Sequence, residues 1–343
     1  MDMHDSTTNP ACNAKEQFHI AESTRQLLSH ANVVDAWSPC HPDNADALFD
    51  EHIAARCCIA TRPLDRYGDA FRHITDVYHT VNHSHRLRLV YTVDDILACR
   101  QDGVTGIILS SPSCEFLFNN IVEAAVHVYW KMGIRTVALA CNGSTFAAEG
   151  CLDANDSSGL SKEGAELLAA CRKFGITVDA AGTAPRAAME ITESAQMPIM
   201  YSHTSPRALF DNPWSIGDEQ AKACAKNGGV LGIAAYPSLL WDGVHAPSMD
   251  RYVAGIEHFV NLVGIDHVGL GLGAISTPNP DPSLTRLLPP AAACLPSADT
   301  DFSSMADGLK ILMEKLLIKG YSSAALAKLL GENWLRLFRA TWK

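Results

Sequence analysis

No apolar run in the sequence is long enough to span a bilayer, and the first thirty residues are polar and mixed in charge where a signal peptide would be apolar. This pattern predicts a cytoplasmic protein with no membrane partner. Clusters of Lys and Arg interleaved with aromatic residues are also missing, and the net charge is −11. Such a chain offers little to neutralise a phosphate backbone, so we expect no nucleic-acid partner.

Paired cysteine motifs are missing as well. The eleven cysteines are an odd number, and none of them forms a CxxC pair. Cys57 and Cys58 lie in a strand-like run, where cysteine is typical of a small buried hydrophobe. The pattern therefore predicts reduced thiols in a cytosol and no disulfide framework.

The chain does contain a repeated alternation of short apolar runs with longer stretches whose apolar residues are three and four apart. Strand followed by helix, repeated about eight times in this length, predicts the α/β class and a closed (β/α)8 TIM-type barrel. An open doubly wound sheet usually has a GxGxxG turn after its first strand, and none follows Val34. The eight strand candidates are residues 33–37, 57–61, 106–110, 136–141, 176–181, 199–203, 230–236 and 267–272.

The predicted domain organisation is simple. Residues 1–30 form a polar N-terminal arm, and residues 31–343 form a single barrel domain. Within it, residues 274–300 are rich in proline and follow the last predicted strand, at the end of a barrel that carries the active site. This stretch is either a lid over that site or a passive surface connection.

Three local patterns then occur in order: SHTSPRAL at 202–209, NGGV at 227–230 and LVGIDHVG at 262–269. Together with the segments 159–181 and 329–342, they resemble the membrane (renal) dipeptidase family, zinc peptidase family M19. The resemblance covers most of the chain from about residue 100 onward. It implies an amidohydrolase-like barrel of the metal-dependent hydrolase kind.

The resemblance also implies a site of two zinc ions, held by a His-x-Asp pair, a bridging glutamate and two later histidines. In this chain the His-x-Asp pair falls on Trp37 and Pro39, the glutamate on Pro112 and one of the histidines on Gly182. Only His203 stands at a ligand position with a ligand side chain. We therefore expect no metal and no other cofactor.

The positions that bind substrate in the family have changed too. The resemblance places its substrate-binding histidine on Cys141, its carboxylate-binding arginine on Trp214 and its proton-handling aspartate on Gly273. The replacements at the barrel mouth favour large aromatic or small apolar side chains, which predicts an apolar pocket. The predicted substrate-binding residues are Trp37, Pro112, Asn142, Gly182, Trp214, Tyr236 and Gly273.

A shifted metal site is the first alternative. His41 and Asp43 form a His-x-Asp pair four residues beyond the expected place, and Glu115 lies three residues past the missing glutamate. Zinc ligands must meet at about 2.0–2.2 Å in fixed geometry, so this alternative needs compensating loop insertions. It predicts a residual zinc-dependent dipeptidase.

His203 and Cys141 are the predicted catalytic residues. The near-neutral pKa of an ordinary histidine suits general acid and base work, although a histidine in a barrel strand can also be a hydrogen-bonded core residue. Cys141 would act as a nucleophile only with a lowered pKa and a nearby base, and plain packing is its other role.

The sequence thus predicts a metal-independent enzyme of a biosynthetic pathway. It would catalyse isomerisation, cyclisation or elimination of a mostly apolar small molecule, which makes it a lyase, isomerase or cyclase instead of a metallopeptidase. The other hypothesis is a non-catalytic binding or regulatory protein. The family often forms dimers, so the resemblance also implies a possible homodimer.

Overall fold

Eight parallel strands follow one another around a nearly closed barrel, in the order in which they occur along the chain. The structure is a computed structural model that describes residues 14–38, 48–63, 65–118, 120–153, 158–273 and 305–343. A short extra strand, β3, pairs in parallel with β4 beside the barrel path. The strands are β1 (Val33–Ser38), β2 (Ile53–Ile59), β3 (Leu87–Leu89), β4 (Thr105–Ser111), β5 (Ile134–Ala138), β6 (Thr177–Asp179), β7 (Met200–Thr204), β8 (Val230–Ala234) and β9 (Val268–Gly271).

Helices alternate with the strands and cover the outside of the barrel. Short 3-10 turns span Glu115–Leu117, Pro237–Leu239 and Ile265–His267, and a π-helical turn spans Lys328–Glu332. The helices are α1 (Ala14–His30), α2 (Tyr67–Asn82), α3 (Val93–Asp102), α4 (Val122–Lys131), α5 (Lys162–Phe174), α6 (Pro185–Ser194), α7 (Asp218–Lys226), α8 (Met249–Val263), α9 (Met305–Ile318), α10 (Ser323–Ala327) and α11 (Asn333–Thr341).

Local sequence explains where several of these helices begin and end. Thr92 caps α3 by accepting the backbone N–H of Asp95, whose carboxylate in turn accepts the N–H of Thr92. Gly103 then ends α3 in the left-handed conformation, with φ +67°. In α8, Val253, Ile256 and their apolar neighbours are buried, as the three- and four-residue spacing requires.

A side chain joins the first and last strands. The hydrogen-bonded ladder runs from β1 round to β9, and no ladder between β9 and β1 is found among the described residues. There, the Asp35 carboxylate on β1 accepts the backbone N–H of Leu272, which directly follows β9, at 2.9 Å. A buried carboxylate thus takes the place of a main-chain ladder at the seam of the barrel.

The predicted fold class and all eight predicted barrel strands are confirmed. The second strand begins at Ile53, four residues before the predicted start. The prediction began later because Arg56 interrupts the apolar run, although in the structure Arg56 is buried within the strand. The short β3 was missed because its three residues include the charged Arg88. The helix predicted between Ile121 and Met132 is α4.

Some predictions fall on parts of the chain that are only partly described. The segment predicted as a polar arm contains α1, which contacts α9, while the division into an arm and one barrel domain stays a prediction. The proline-rich stretch 274–300 lies outside the described residues, as do His41 and Asp43. None of the helices in the described ranges has the length and hydropathy needed to cross a membrane.

Candidate active site

The predicted site residues lie where strands end, at the carboxyl-terminal mouth of the barrel. Trp37 is the penultimate residue of β1, and His203 lies near the end of β7. Tyr236 follows β8, and Gly273 follows β9. Because the carboxyl ends of parallel barrel strands converge on one face, residues far apart in the chain meet there.

The indole of Trp37 stacks directly on the imidazole of His203. The ring centroids are 3.8 Å apart, and the planes differ by 9°. Tyr236 approaches the same indole edge-on, with centroids 6.0 Å apart. Gly273 makes room for the indole, since a Cβ atom there would lie 2.6 Å from Cε3 and Cζ3 of Trp37.

Trp214 is held on the other side of the mouth by Asn142. Its indole N–H donates to the Oδ1 atom of Asn142, which has a left-handed backbone with φ +68°. The carbonyl of Gly182 accepts the N–H groups of Asn142 and Cys151 at 3.1 and 3.0 Å and so supports that conformation. Gly182 itself has φ +75°, which favours glycine.

The aromatic residues belong to one apolar cluster, separate from the two larger cores of the barrel. We call it the mouth cluster; its members are Trp37, Ile59, Cys151, Trp214, Ala234, Tyr236 and Leu239. Three of the predicted substrate-binding residues are therefore brought together. Their role in binding stays a prediction.

The imidazole of His203 is buried against this cluster, which corrects one expectation. Burial lowers its pKa from 6.5 to about 3, because the imidazolium form loses its hydration. The ring is therefore neutral at physiological pH and does not titrate near 7 as an ordinary histidine would. Its Nδ1 atom lies 2.8 Å from the hydroxyl oxygen of Ser202.

Cys141 lies between β5 and the Asn142 turn and is partly exposed. Burial of the sulfur raises its pKa from 9.0 to about 12, so the thiol is protonated at neutral pH. Cys141 is not a member of the mouth cluster. These surroundings do not activate a nucleophile, and they favour the packing role.

Two buried aspartates, Asp35 and Asp179, are functional candidates that were not predicted from the sequence. Asp35 accepts the N–H of Trp37 at 3.2 Å in addition to that of Leu272. Asp179, at the end of β6, accepts the N–H groups of Ala181 and Ser202 at 3.0 and 2.9 Å. Each carboxylate thus binds the backbone N–H two residues later in the chain. Each also accepts a backbone N–H from a neighbouring strand or from the residue that directly follows it.

Both carboxyl groups are harder to ionise than free aspartate. Burial raises the pKa of each from 3.8 to about 6, against the opposing effect of the backbone hydrogen bonds. For Asp35 the positive charge of Arg56 also opposes the rise. A sequence signal for both aspartates exists: each is a single acidic residue inside an otherwise apolar strand. Acidic residues are rarely buried without a partner, so such a position indicates a special role.

The Asp179→Asn variant tests this electrostatic account. Because the pKa of Asp179 is higher in the folded protein than in the unfolded chain, the protonated carboxyl group stabilises the fold. This contribution is complete below the unfolded pKa near 4 and is lost as pH rises through about 6. Asparagine stays neutral, so the free energy of unfolding of the variant relative to wild type should rise by on the order of 1–2 kcal/mol from pH 5 to pH 8. Urea unfolding at both pH values measures it.

Asp250→Asn serves as the matched control, because the Asp250 side chain is 80% exposed on α8. Its difference from wild type should be the same at both pH values to within about 0.5 kcal/mol. An Asp179→Asn variant that also shows a constant difference would mean that Asp179 ionises normally in the folded protein.

The described residues do not fit the pair of zinc ions that the resemblance implied. Beside His203 the chain presents the indole of Trp37, and the buried Pro112 follows β4 where the bridging glutamate was expected. Within the described ranges, no group of three or more His, Cys, Asp or Glu side chains is placed to hold a metal ion. Glu115 lies in the 3-10 turn after β4, and the shifted site with His41 and Asp43 stays a prediction.

Comparison with known proteins agrees with the barrel fold. The sequence profile of the membrane dipeptidase family (Peptidase family M19) matches residues 2–278. The chain belongs to the membrane dipeptidase family. The family is one of hydrolytic enzymes, so the chain has an enzymatic ancestry.

Individual members of the family are distant in sequence. Dipeptidase tcpJ of Claviceps purpurea is 22% identical over 204 residues, which cover 59% of this chain and 46% of tcpJ. The chain therefore spans about half the length of the curated relatives of this kind. An identity this low between family members is compatible with different residues in their active sites.

Solved structures of similar proteins have the same fold. An amidohydrolase from Pseudomonas aeruginosa superposes with a TM-score of 0.81 at 22% identity, covering 93% of this chain and 99% of that one. The probable dipeptidase PvdM from the same organism superposes with a TM-score of 0.78 at 16% identity, covering 94% and 98%. The membrane dipeptidase barrel is thus retained in this chain.

Proposed function

We propose that this member of the membrane dipeptidase family is a metal-independent enzyme that acts on a mostly apolar small molecule. The stack of Trp37, a member of the mouth cluster, on the buried and neutral His203 carries the proposal. A dipeptide has two charged ends, which an apolar aromatic mouth would desolvate without compensation. A flat or apolar ligand loses little on entering it.

The chemistry proposed for the site is proton transfer during an isomerisation, cyclisation or elimination. A neutral imidazole has one N–H donor and one nitrogen acceptor, so His203 can take a proton at one nitrogen and release one from the other. Holding the ligand in a reactive conformer against the aromatic rings lowers the barrier of an intramolecular reaction by several kcal/mol in favourable cases. Cys141 is left out of the proposed mechanism, since its thiol stays protonated.

The first experiment separates this proposal from a residual zinc dipeptidase. Protein purified without chelator is assayed for zinc by elemental analysis, and hydrolysis of alanyl-alanine is measured with and without added zinc. We expect substoichiometric zinc and no hydrolysis above background. About two zinc ions per chain together with hydrolysis would overturn the proposal and would point to a ligand set that includes His41, Asp43 and Glu115.

A binding measurement then tests the apolar mouth. The probe is 2-naphthol, a flat aromatic with one hydroxyl, titrated while protein and probe fluorescence are followed. Trp37→Leu should weaken its binding roughly tenfold or more, because an aromatic contact and its buried area are lost. The matched control is Trp342→Leu, since Trp342 bonds Thr177 at the opposite end of the barrel; equal weakening by both variants would contradict a site at the mouth.

A non-catalytic binding protein remains the other outcome. In that case 2-naphthol binding depends on Trp37, but His203→Gln leaves the turnover of every substrate found for the wild-type protein unchanged. Whether the protein forms a homodimer stays a prediction, as does its cytoplasmic location.

A further inference from the structure

Two exposed histidines lie together at the carboxyl-terminal end of α2, far from the mouth. His79 is in the last turn of this helix, and His83 directly follows its final residue, Asn82. The chain then enters β3, whose first residue, Leu87, pairs with the first residue of β4. The two histidines are therefore at the amino-terminal end of the strands, at the opposite end of the barrel from His203.

The four-residue spacing brings the two imidazoles together. Residues i and i+4 are neighbours on the surface of a helix, and the ring centroids of His79 and His83 are 4.1 Å apart with 38° between their planes. Two nitrogens bound to one zinc ion are at most about 4.2 Å apart, because each Zn–N bond is about 2.0–2.1 Å long. The two rings are thus close enough to share one metal ion.

A hydrogen bond to the backbone fixes the tautomer of His83. Its Nδ1 atom lies 2.8 Å from the carbonyl oxygen of His79. A carbonyl oxygen only accepts, so Nδ1 carries the proton, and in the neutral ring Nε2 carries the lone pair. Histidines that bind metals almost always donate their other ring N–H to a carbonyl, a carboxylate or water in this way. His83 therefore has the tautomer that binds a metal through Nε2.

The electrostatic surroundings of the pair favour a cation. The carbonyl groups at the carboxyl-terminal end of a helix carry a partial negative charge, and α2 ends at this pair. Asp76 is three residues before His79 and on the same face of the helix. The net charge of the chain, −11, acts in the same direction. A positive ion at the two rings is attracted on each of these counts.

We propose that His79 and His83 form a surface site for a divalent transition metal ion of the kind that imidazole prefers, such as Zn²⁺, Ni²⁺ or Cu²⁺. Water molecules complete the coordination, because the pair supplies two ligands. Mg²⁺ and Ca²⁺, which take oxygen ligands, are not bound there. The site is separate from the mouth and independent of the proposed function. With two protein ligands it exchanges its metal readily and loses it during purification in metal-free buffer.

Isothermal titration calorimetry of the full chain with nickel chloride at pH 8 tests the site. We expect one Ni²⁺ ion per chain at this site. His79→Gln and His83→Gln should each weaken its binding roughly 100-fold or more, because the second imidazole binds as a ligand already held in place. The double variant should bind no more weakly than either single variant by more than a few fold. Magnesium chloride should give no heat of binding.

The matched control is His127→Gln. His127 is also an exposed histidine on a helix, but its ring stacks on Phe174, with centroids 4.5 Å apart, instead of lying against a second histidine. This variant should bind Ni²⁺ as the wild-type protein does. Far-UV circular dichroism confirms that each variant is folded. Nickel binding that is absent from the wild-type protein, or that is unchanged in the double variant, would overturn the proposal.

The surface site and a residual dinuclear centre give different results. Metal at the surface site is lost in the double variant, and alanyl-alanine hydrolysis does not depend on it. Zinc that survives the double variant together with hydrolysis would overturn the proposed function and leave the His79 and His83 site untouched.

Discussion

Replacing Gly271 with alanine is expected to unfold the barrel or to leave it only marginally stable. A Cβ atom at this position of β9 would lie 2.0 Å from the carbonyl oxygen of Ser202 and 3.2 Å from Cα of His203. These are backbone atoms, which cannot move aside as the end of a flexible side chain can. The cost should reach roughly 4 kcal/mol or more, a large part of the stability of a typical domain.

The reason for this sensitivity is an irregularity in β7. The register of β7 against β8 shifts between Tyr201 and Thr204, as in a β-bulge, and the carbonyl of Ser202 lies against Gly232 and Gly271. Only glycines leave room for it. The same irregular segment carries His203, so the substitution should also disturb the stack with Trp37.

Thermal unfolding followed by near-UV circular dichroism measures the effect. The matched control is Gly68→Ala in α2, where an added Cβ would meet no atom within 4 Å. That change should stabilise the protein by about 0.5–1 kcal/mol, because alanine favours a helix over glycine. A Gly271→Ala protein that melts cooperatively within about 1 kcal/mol of wild type would show that the β7 irregularity is not rigid.

The second large effect is expected for Arg56→Met, and it should depend on pH. Arg56 is 1% exposed on β2 and pairs in register with Asp35 on β1. Its charge lowers the pKa of Asp35, which burial has raised to about 6. Without Arg56 the ionised Asp35 loses the charge that offsets its burial, at a cost of up to about 3–5 kcal/mol, the value for breaking a buried ion pair in direct contact.

The sign of the pH dependence follows from the raised pKa of Asp35. Below about pH 5 the carboxyl group takes up a proton, and the loss of Arg56 should cost little. As pH rises through 6 and beyond, the variant should lose stability that the wild-type protein keeps, because its Asp35 pKa is higher still. Urea unfolding at pH 5 and pH 8 would show the divergence.

The double variant Arg56→Met with Asp35→Asn decides the cause. It should recover most of the stability lost at pH 8, since no buried charge remains and a pair replaced by uncharged residues can be as stable as the original. In addition, Nε and Nη1 of Arg56 lack a hydrogen-bond partner within the described residues, so little bonding is lost with the guanidinium. Equal destabilisation of the single and double variants at both pH values would assign the effect to packing volume.

The two tryptophans of the mouth shape the surroundings of His203. The ring of Trp37 stacks on the imidazole, and burial lowers the pKa of His203. Trp214 belongs to the same mouth cluster and is held by Asn142. That Trp37 and Trp214 replace a metal-binding histidine and a carboxylate-binding arginine of the family stays a prediction.

The barrel itself was predictable from the sequence. Strands buried on both faces require continuous apolar runs, and the helices between them require the three- and four-residue spacing, so both signals are local. The prediction that Trp37, Pro112 and Gly182 stand where the family has metal ligands also came from the sequence alone. Whether a side chain can bind zinc depends on its type, which needs no coordinates once the family motif is placed.

What the sequence did not indicate are properties that depend on contacts between distant strands. The hydrogen bond from Leu272 to Asp35 joins residues separated by 237 positions, and no local pattern indicates it. The lowered pKa of His203 was unexpected because desolvation depends on everything packed around the ring. The hydrogen bond from the backbone N–H of Ser202 to Asp179 was not predicted, since Asp179 comes from another strand.

By itself the sequence determined the class of fold and the family, because residue type and spacing decide both, while the replacement of the family's ligand types stays a prediction. Only the tertiary structure decided that Trp37 stacks on His203, that Asp179 accepts the backbone N–H of Ser202, and that Arg56 is buried beside Asp35. The physical reason is that burial, hydrogen-bond direction and charge interaction are properties of positions in space, and closing the barrel brings those positions together.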